Sequence, residues 1–153
     1  MKLAIRQAVL LVLVFVAFGC SSASEADLVG TWSVTKESRE RLPQAVQKGM
    51  AQVLLKDDGR FDGTELPGEL LYIFEPASRG LVTGSGTWTL SGGFGNQIVQ
   101  LHFLEISQGG EGSVPYGTQL WVETSRGGPR LFYYSGDPDL GNRIYFSKEG
   151  VTP

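Results

Sequence analysis

From Leu28 onward the chain repeats one pattern: a short run rich in β-branched and aromatic residues, then a turn signal, about every 8–12 residues. Runs this short are below the length of an ordinary helix, and their spacing fits strands joined by tight turns. The chain has 21 glycines and, among 153 residues, 8 Phe, 5 Tyr and 3 Trp. Glycine supplies the turns, and aromatic residues favour a pleated, half-buried surface. The predicted strands are Leu28 to Thr35, Ala51 to Lys56, Arg60 to Gly63, Leu70 to Glu75, Thr87 to Leu90, Gln97 to Ser107, Gly117 to Thr124, Arg130 to Ser135 and Asn142 to Lys148. Asp57-Asp58-Gly59 between the second and third is a hairpin signal. Apolar residues near helical spacing predict one short helix after the first strand, from about Pro43 to Gly49, with Pro43 in its first turn. The expected fold is all-β: an antiparallel up-and-down barrel of about eight strands, closed so that no sheet edge is exposed.

The first residues are organised differently. Lys2 and Arg6 precede an uninterrupted run of apolar or small residues from Ala8 to Gly19, which ends in Ala17-Phe18-Gly19-Cys20. That run is shorter than the roughly 20 residues a membrane-spanning helix needs. A basic start, a short apolar run and a small residue at its end describe a secretory signal. Cys20 is the only cysteine in the chain. Standing directly after Gly19, it makes this segment resemble the lipobox of bacterial lipoproteins. The resemblance implies cleavage before Cys20, a lipid on its sulfur and acylation of the new amino group. A competing reading is an ordinary signal cut after Ala23, which would discard the cysteine. The expected organisation is a signal peptide over 1–19, a lipidated tether over 20–27 and a barrel domain over 28–150. The expected location is outside the cytoplasm, lipid-anchored to the cell membrane or outer membrane of a bacterium, with the membrane itself the first partner.

Charge and cysteine count remove several functions. Lys2 and Arg6 are two of 13 basic residues, so 11 remain against 16 acidic ones, a formal charge of −5. An acidic domain offers no electrostatic footprint for nucleic acid. A lone cysteine forms no intramolecular disulfide, so stability must come from the core.

Few residues have the type and spacing to carry chemistry. Asp137, Asp139 and Asn142 place oxygen atoms at intervals that could suit Ca²⁺, but they lack the order of an EF-hand loop. In Asp137-Pro138-Asp139-Leu140-Gly141-Asn142 a turn explains the same residues, and no metal or other cofactor is expected. His102 is the only histidine and lies mid-strand, facing away from Val99, Leu101 and Phe103; it is expected at the surface rather than as a catalytic base. Asp57 and Asp58 are explained by the turn they build. No nucleophile elbow, phosphate-cradling loop or His-Glu-x-x-His is present, so no catalytic residue is assigned. Trp32, Trp88, Trp121, Phe103 and Phe132 are expected inside the barrel, lining a ligand cavity or filling a core. Phe132-Tyr133-Tyr134 puts aromatics on both faces of its strand, so one of them could join a contact surface.

Two broader resemblances follow from these motifs. Leu28-Val29-Gly30-Thr31-Trp32 resembles the Gly-x-Trp start of the first strand in lipocalins and other calycins. That resemblance implies a late basic residue, here Arg143, packed over Trp32 as a cation–π pair at one end of the barrel. Asp58-Gly59-Arg60-Phe61, Leu66-Pro67, Gly84-Ser85-Gly86-Thr87-Trp88 and Gly136 to Arg143 together resemble a group of small lipoproteins common in actinobacteria. This second resemblance implies location and carries no activity. The expected function is a non-enzymatic envelope module holding a small apolar ligand. The alternative is a lipoprotein with a filled barrel that contacts envelope proteins or polymer through its surface, and an enzyme is the third reading.

Overall fold

The computed structural model describes residues 22–71, 80–93, 95–108 and 116–150. Cys20 and the expected signal segment therefore lie outside the described residues. Eight antiparallel strands close into one barrel in simple sequential order. They are β1 (Gly30–Val34), β2 (Gln52–Leu55), β3 (Arg60–Pro67), β4 (Leu81–Ser91), β5 (Gln97–Gln108), β6 (Tyr116–Ser125), β7 (Gly128–Tyr134) and β8 (Arg143–Lys148). Each strand pairs with the next, and β8 returns to β1 through Trp32↔Lys148, Ser33↔Ser147 and Val34↔Phe146. This is the expected all-β up-and-down barrel.

Alternation decides which side chains go inside. Leu120, Leu131 and Phe146 are fully buried and belong to one continuous core with Trp32, Val53, Phe61, Val99, Leu101 and Phe103. Phe61 and Phe103 meet edge to face with ring centroids 4.8 Å apart, a geometry that adds about 0.5–1.5 kcal/mol beyond area burial. The two tryptophans of the repeated Gly-Thr-Trp close the same end of the barrel. The Trp32 indole N–H donates to the Leu28 carbonyl at 2.7 Å, and that of Trp88 donates to the Lys56 carbonyl at 2.8 Å. Each ring is thereby buried with its polar atom satisfied.

Four expectations change. The tether is packed from Ala23 onward. Ala23 is buried, its N–H donates to Gln97 Oε1 at 2.8 Å, and Gln97 Nε2 donates to the Ala23 carbonyl at 2.8 Å. Ser24 then caps α1 (Glu25–Leu28). The Asp27 N–H donates to Ser24 Oγ at 3.3 Å, and the Ser24 N–H donates to Asp27 Oδ2 at 2.8 Å. This reciprocal cap makes a turn of helix from a sequence that looks like linker. The Ser24 hydroxyl, foremost among the causes, holds the Asp27 carboxyl below its ordinary value.

A short helix not expected, α2 (Lys36–Arg39) capped by Thr35, precedes the expected one, which is present over a narrower range as α3 (Gln44–Gln47) with Pro43 at its N-cap. Arg39 ties them down by donating to the carbonyls of Gln47, Gly49 and Met50. Leu70, expected to begin a strand, lies in a 3₁₀ turn over Gly68–Leu70; residues 72–75 of that expected strand lie outside the described residues. Finally, β4 starts at Leu81 rather than Thr87. Gly84-Ser85-Gly86 reads as a turn but runs as strand. A Cβ at Gly86 would overlap the His102 carbonyl, and one at Gly84 would overlap the Glu105 carbonyl. Glycine here permits backbone approach beside two register slips in the β4–β5 ladder.

Candidate functional site

The outer face of β6, β7 and β8 carries a different set of aromatics from the core. Hairpin register places Trp121 beside Phe132 and Phe132 beside Tyr145, a row of three rings across three strands. On one side of that row Glu123 pairs with Arg130. On the other, Tyr134 pairs with Arg143. The flanking residues Leu120, Leu131, Tyr133, Ile144 and Phe146 all belong to the core, so alternation sends Trp121, Phe132, Tyr134 and Tyr145 outward. Phe132 lies 5.5 Å from both Tyr145 and Tyr134 between centroids, and Trp121 lies 6.5 Å from Phe132 at an interplanar angle of 20°.

Two guanidiniums cover this wall. Arg143 lies over Phe132 at 4.6 Å from the ring centroid and 5.5 Å from that of Tyr134. It continues across the row to Glu123, 3.3 Å away, and donates to the hydroxyls of Tyr145 and Tyr134 at 3.4 Å each. The Tyr145 hydroxyl, accepting from it, is the largest influence raising the Arg143 guanidinium above its ordinary value. This crossing explains why Phe132 is only 6% exposed while pointing outward. Arg130 is exposed and stacks on Tyr145 at 4.2 Å. No hydrogen-bond acceptor for its guanidinium occurs among the described residues. Stacking fixes the plane of the cation and leaves its N–H edge for an external anion.

Concavities flank the wall. A cleft of about 110 Å³ lies between Leu70, Thr118, Trp121, Tyr134 and Pro138. A larger groove of about 680 Å³ borders Arg130, Lys36, Ser147, Lys148 and Asp27. In that groove Lys148 Nζ donates to the Asp27 carbonyl at 2.9 Å, fastening α1 to β8.

The other end of the barrel is closed by polar contacts. The Tyr133 hydroxyl donates to Glu69 Oε1 at 2.7 Å, and Ser135 Oγ donates to Glu69 Oε2 at 3.1 Å. Thr118 Oγ1 donates to the Leu70 carbonyl at 2.5 Å. The 3₁₀ turn is thus fastened over the core. Burial, and after it the Glu69 carboxylate, pushes the Tyr133 phenol far above its ordinary value.

The residues singled out by the sequence therefore separate into groups. Trp32, Trp88 and Phe103 point inward and are packed. Trp121 and Phe132, expected inside, are on the outer wall because the β6–β7 register gives their inward-facing neighbours the core positions. The Trp32–Arg143 pair does not form: Arg143 stacks on Phe132 and Tyr134, and the strand position beside Trp32 on β8 belongs to Lys148. Asp137 accepts from the Asp139 N–H at 2.9 Å, Pro138 opens a 3₁₀ turn and Gly141 closes it with φ of 68°. Among the described residues no three His, Cys, Asp or Glu side chains gather as metal ligands. His102 is exposed on β5, across from Thr87 and Gly117. Glu123 and Arg130 did not stand out in the sequence, and Tyr145 stood out only as one of many aromatics. Their signal is a period-two series on three successive strands, visible once Arg126-Gly127 is taken as the turn that fixes register.

No protein family, curated protein or solved structure matches this chain significantly.

Proposed function

We propose that this protein is an exported, lipid-anchored envelope protein that works as a non-enzymatic binding module through the outer wall of its barrel. The observation that carries this reading is the division of aromatic residues. The lumen rings pack against one another in the core, whereas Trp121, Tyr134 and Tyr145 remain partly exposed beside two guanidiniums. Trp, Tyr and Arg are the residues that most often dominate binding surfaces. Among the described residues the inward-facing side chains form one continuous buried core, which favours surface recognition over carriage of a small apolar ligand inside the barrel.

The anchor completes the reading. With Ala23 packed against Gln97, only Cys20, Ser21 and Ser22 separate the lipid from the domain. Three extended residues reach about 10 Å at most, so the barrel is held close against the lipid surface. Purified from a native membrane and weighed intact, the mature protein is expected to begin at acylated Cys20. Cys20→Ser is expected to leave the membrane fraction without that mass. A mature N-terminus beyond Cys20 would overturn the anchor.

A further inference from the structure

We propose that the outer wall of β6–β8 binds a carboxylate-bearing polysaccharide, with Arg130 as the residue that holds the carboxylate. The inference rests on the outer-wall reading and names its occupant. Three features carry it.

The first is charge. A domain with formal charge −5 after loss of its signal presents here two guanidiniums against the single carboxylate of Glu123. Arg143 is bound to that carboxylate and to two tyrosine hydroxyls, while the Arg130 edge is open among the described residues. A planar guanidinium held flat on Tyr145 suits the two oxygens of a carboxylate.

The second is chemical texture. Aromatic faces lie beside the hydroxyls of Tyr134 and Tyr145, the Arg143 N–H groups and the Glu123 oxygens, and Gln119 lines the adjoining cleft. A pyranose has the complementary mixture: a face of C–H bonds that stacks on a ring, and a rim of hydroxyls that both donate and accept. An apolar protein knob would instead need a deep pocket, and the cleft beside Trp121 measures only about 110 Å³.

The third is shape. The barrel is closed, so this wall offers no strand edge to which a peptide could add. Beyond Arg130 the wall gives way to the groove, whose border carries Lys36 and Lys148 as well as Asp27 and Glu37. A chain molecule lying across the wall would meet further cations there, set among carboxylates.

The test uses the full lipidated protein in detergent micelles. Trp32 and Trp88 are buried, so Trp121 is the tryptophan that a soluble quencher reaches first. Polygalacturonate oligomers are expected to shield Trp121 from acrylamide. Their methyl-esterified counterparts, with the same C–H faces and no charge, are expected to bind at least tenfold more weakly. Arg130→Gln should lose at least tenfold in affinity with only a small fall in melting temperature, since the exposed side chain gives up no more than its stack on Tyr145. Arg130→Lys, keeping the charge without the fork, should fall between.

Equal binding of the ester, or unchanged affinity in Arg130→Gln, overturns the proposal. Shielding by polyglutamate and not by polygalacturonate also overturns it, and assigns the wall to an acidic protein. If no polymer shields Trp121, the polysaccharide is ruled out. The outer-wall reading then stands or falls separately, on whether the same wall is protected on intact cells.

Discussion

The inner and outer faces of the β6–β8 sheet are built from the same kinds of ring and hold them in opposite ways. Inside, Tyr133 and Phe146 approach with centroids 6.2 Å apart within a continuous apolar core. Outside, Phe132 is nearly as buried, but its cover is the Arg143 guanidinium reaching to Glu123. Inner contacts are buried from solvent and specify the fold. The outer cover is a long, charged side chain about one-third exposed, and such pairs contribute little to stability. A cover of that kind can move aside at small cost, and a core ring cannot. Equal burial therefore does not mean equal role.

Substitution should separate lumen from wall most sharply at Phe103, an inward-facing ring on β5. It is fully buried and meets Phe61 edge to face, so Phe103→Ala is expected to cost about 3–5 kcal/mol. Chemical denaturation would read this, and a loss below about 1 kcal/mol would mean that the lumen is loosely filled.

A smaller effect is expected on raising pH. The Tyr133 phenol sits above its unfolded value of 10.0, because burial and the Glu69 carboxylate both disfavour the phenolate. A raised folded value means that the folded state holds the proton more tightly. That contribution is fully present below about pH 10 and is lost as pH rises beyond it. Melting temperature should therefore fall above pH 10, and Tyr133→Phe should flatten the fall. An unchanged slope in that variant would remove Tyr133 as its source.

The smallest effect belongs to the wall. Arg143→Ala uncovers Phe132 and removes two cation–π contacts, which are worth about 0.5–1 kcal/mol at exposed sites. A loss as large as that of Phe103→Ala would erase the distinction between the faces.

The sequence made the barrel legible because hairpin turns and alternation are local signals. Asp57-Asp58-Gly59 and the long run from Gln97 to Ser107 mark their elements without help from distant residues. Glycine misled where its cause was distant. Gly84 and Gly86 resemble a turn until the carbonyls of Glu105 and His102 are placed beside them. Ser24 and Asp27 form a cap that composition alone disguises as linker. The wall was half legible: Trp121, Phe132 and Arg143 drew notice, but their face depends on register. One residue of slip would exchange the wall with the core.

The measurement that bears most directly on the division of faces is hydroxyl-radical footprinting of the protein, first purified and then on intact cells. In the purified protein, Trp121, Tyr134 and Tyr145 should be oxidised while Trp32, Trp88 and Phe103 stay protected. On cells, the three wall rings should become protected, while Met50 and Leu104, exposed elsewhere at 53% and 58%, remain reactive. Wall rings oxidised equally in both settings would contradict the account, as would a reactive Phe103 in the folded protein.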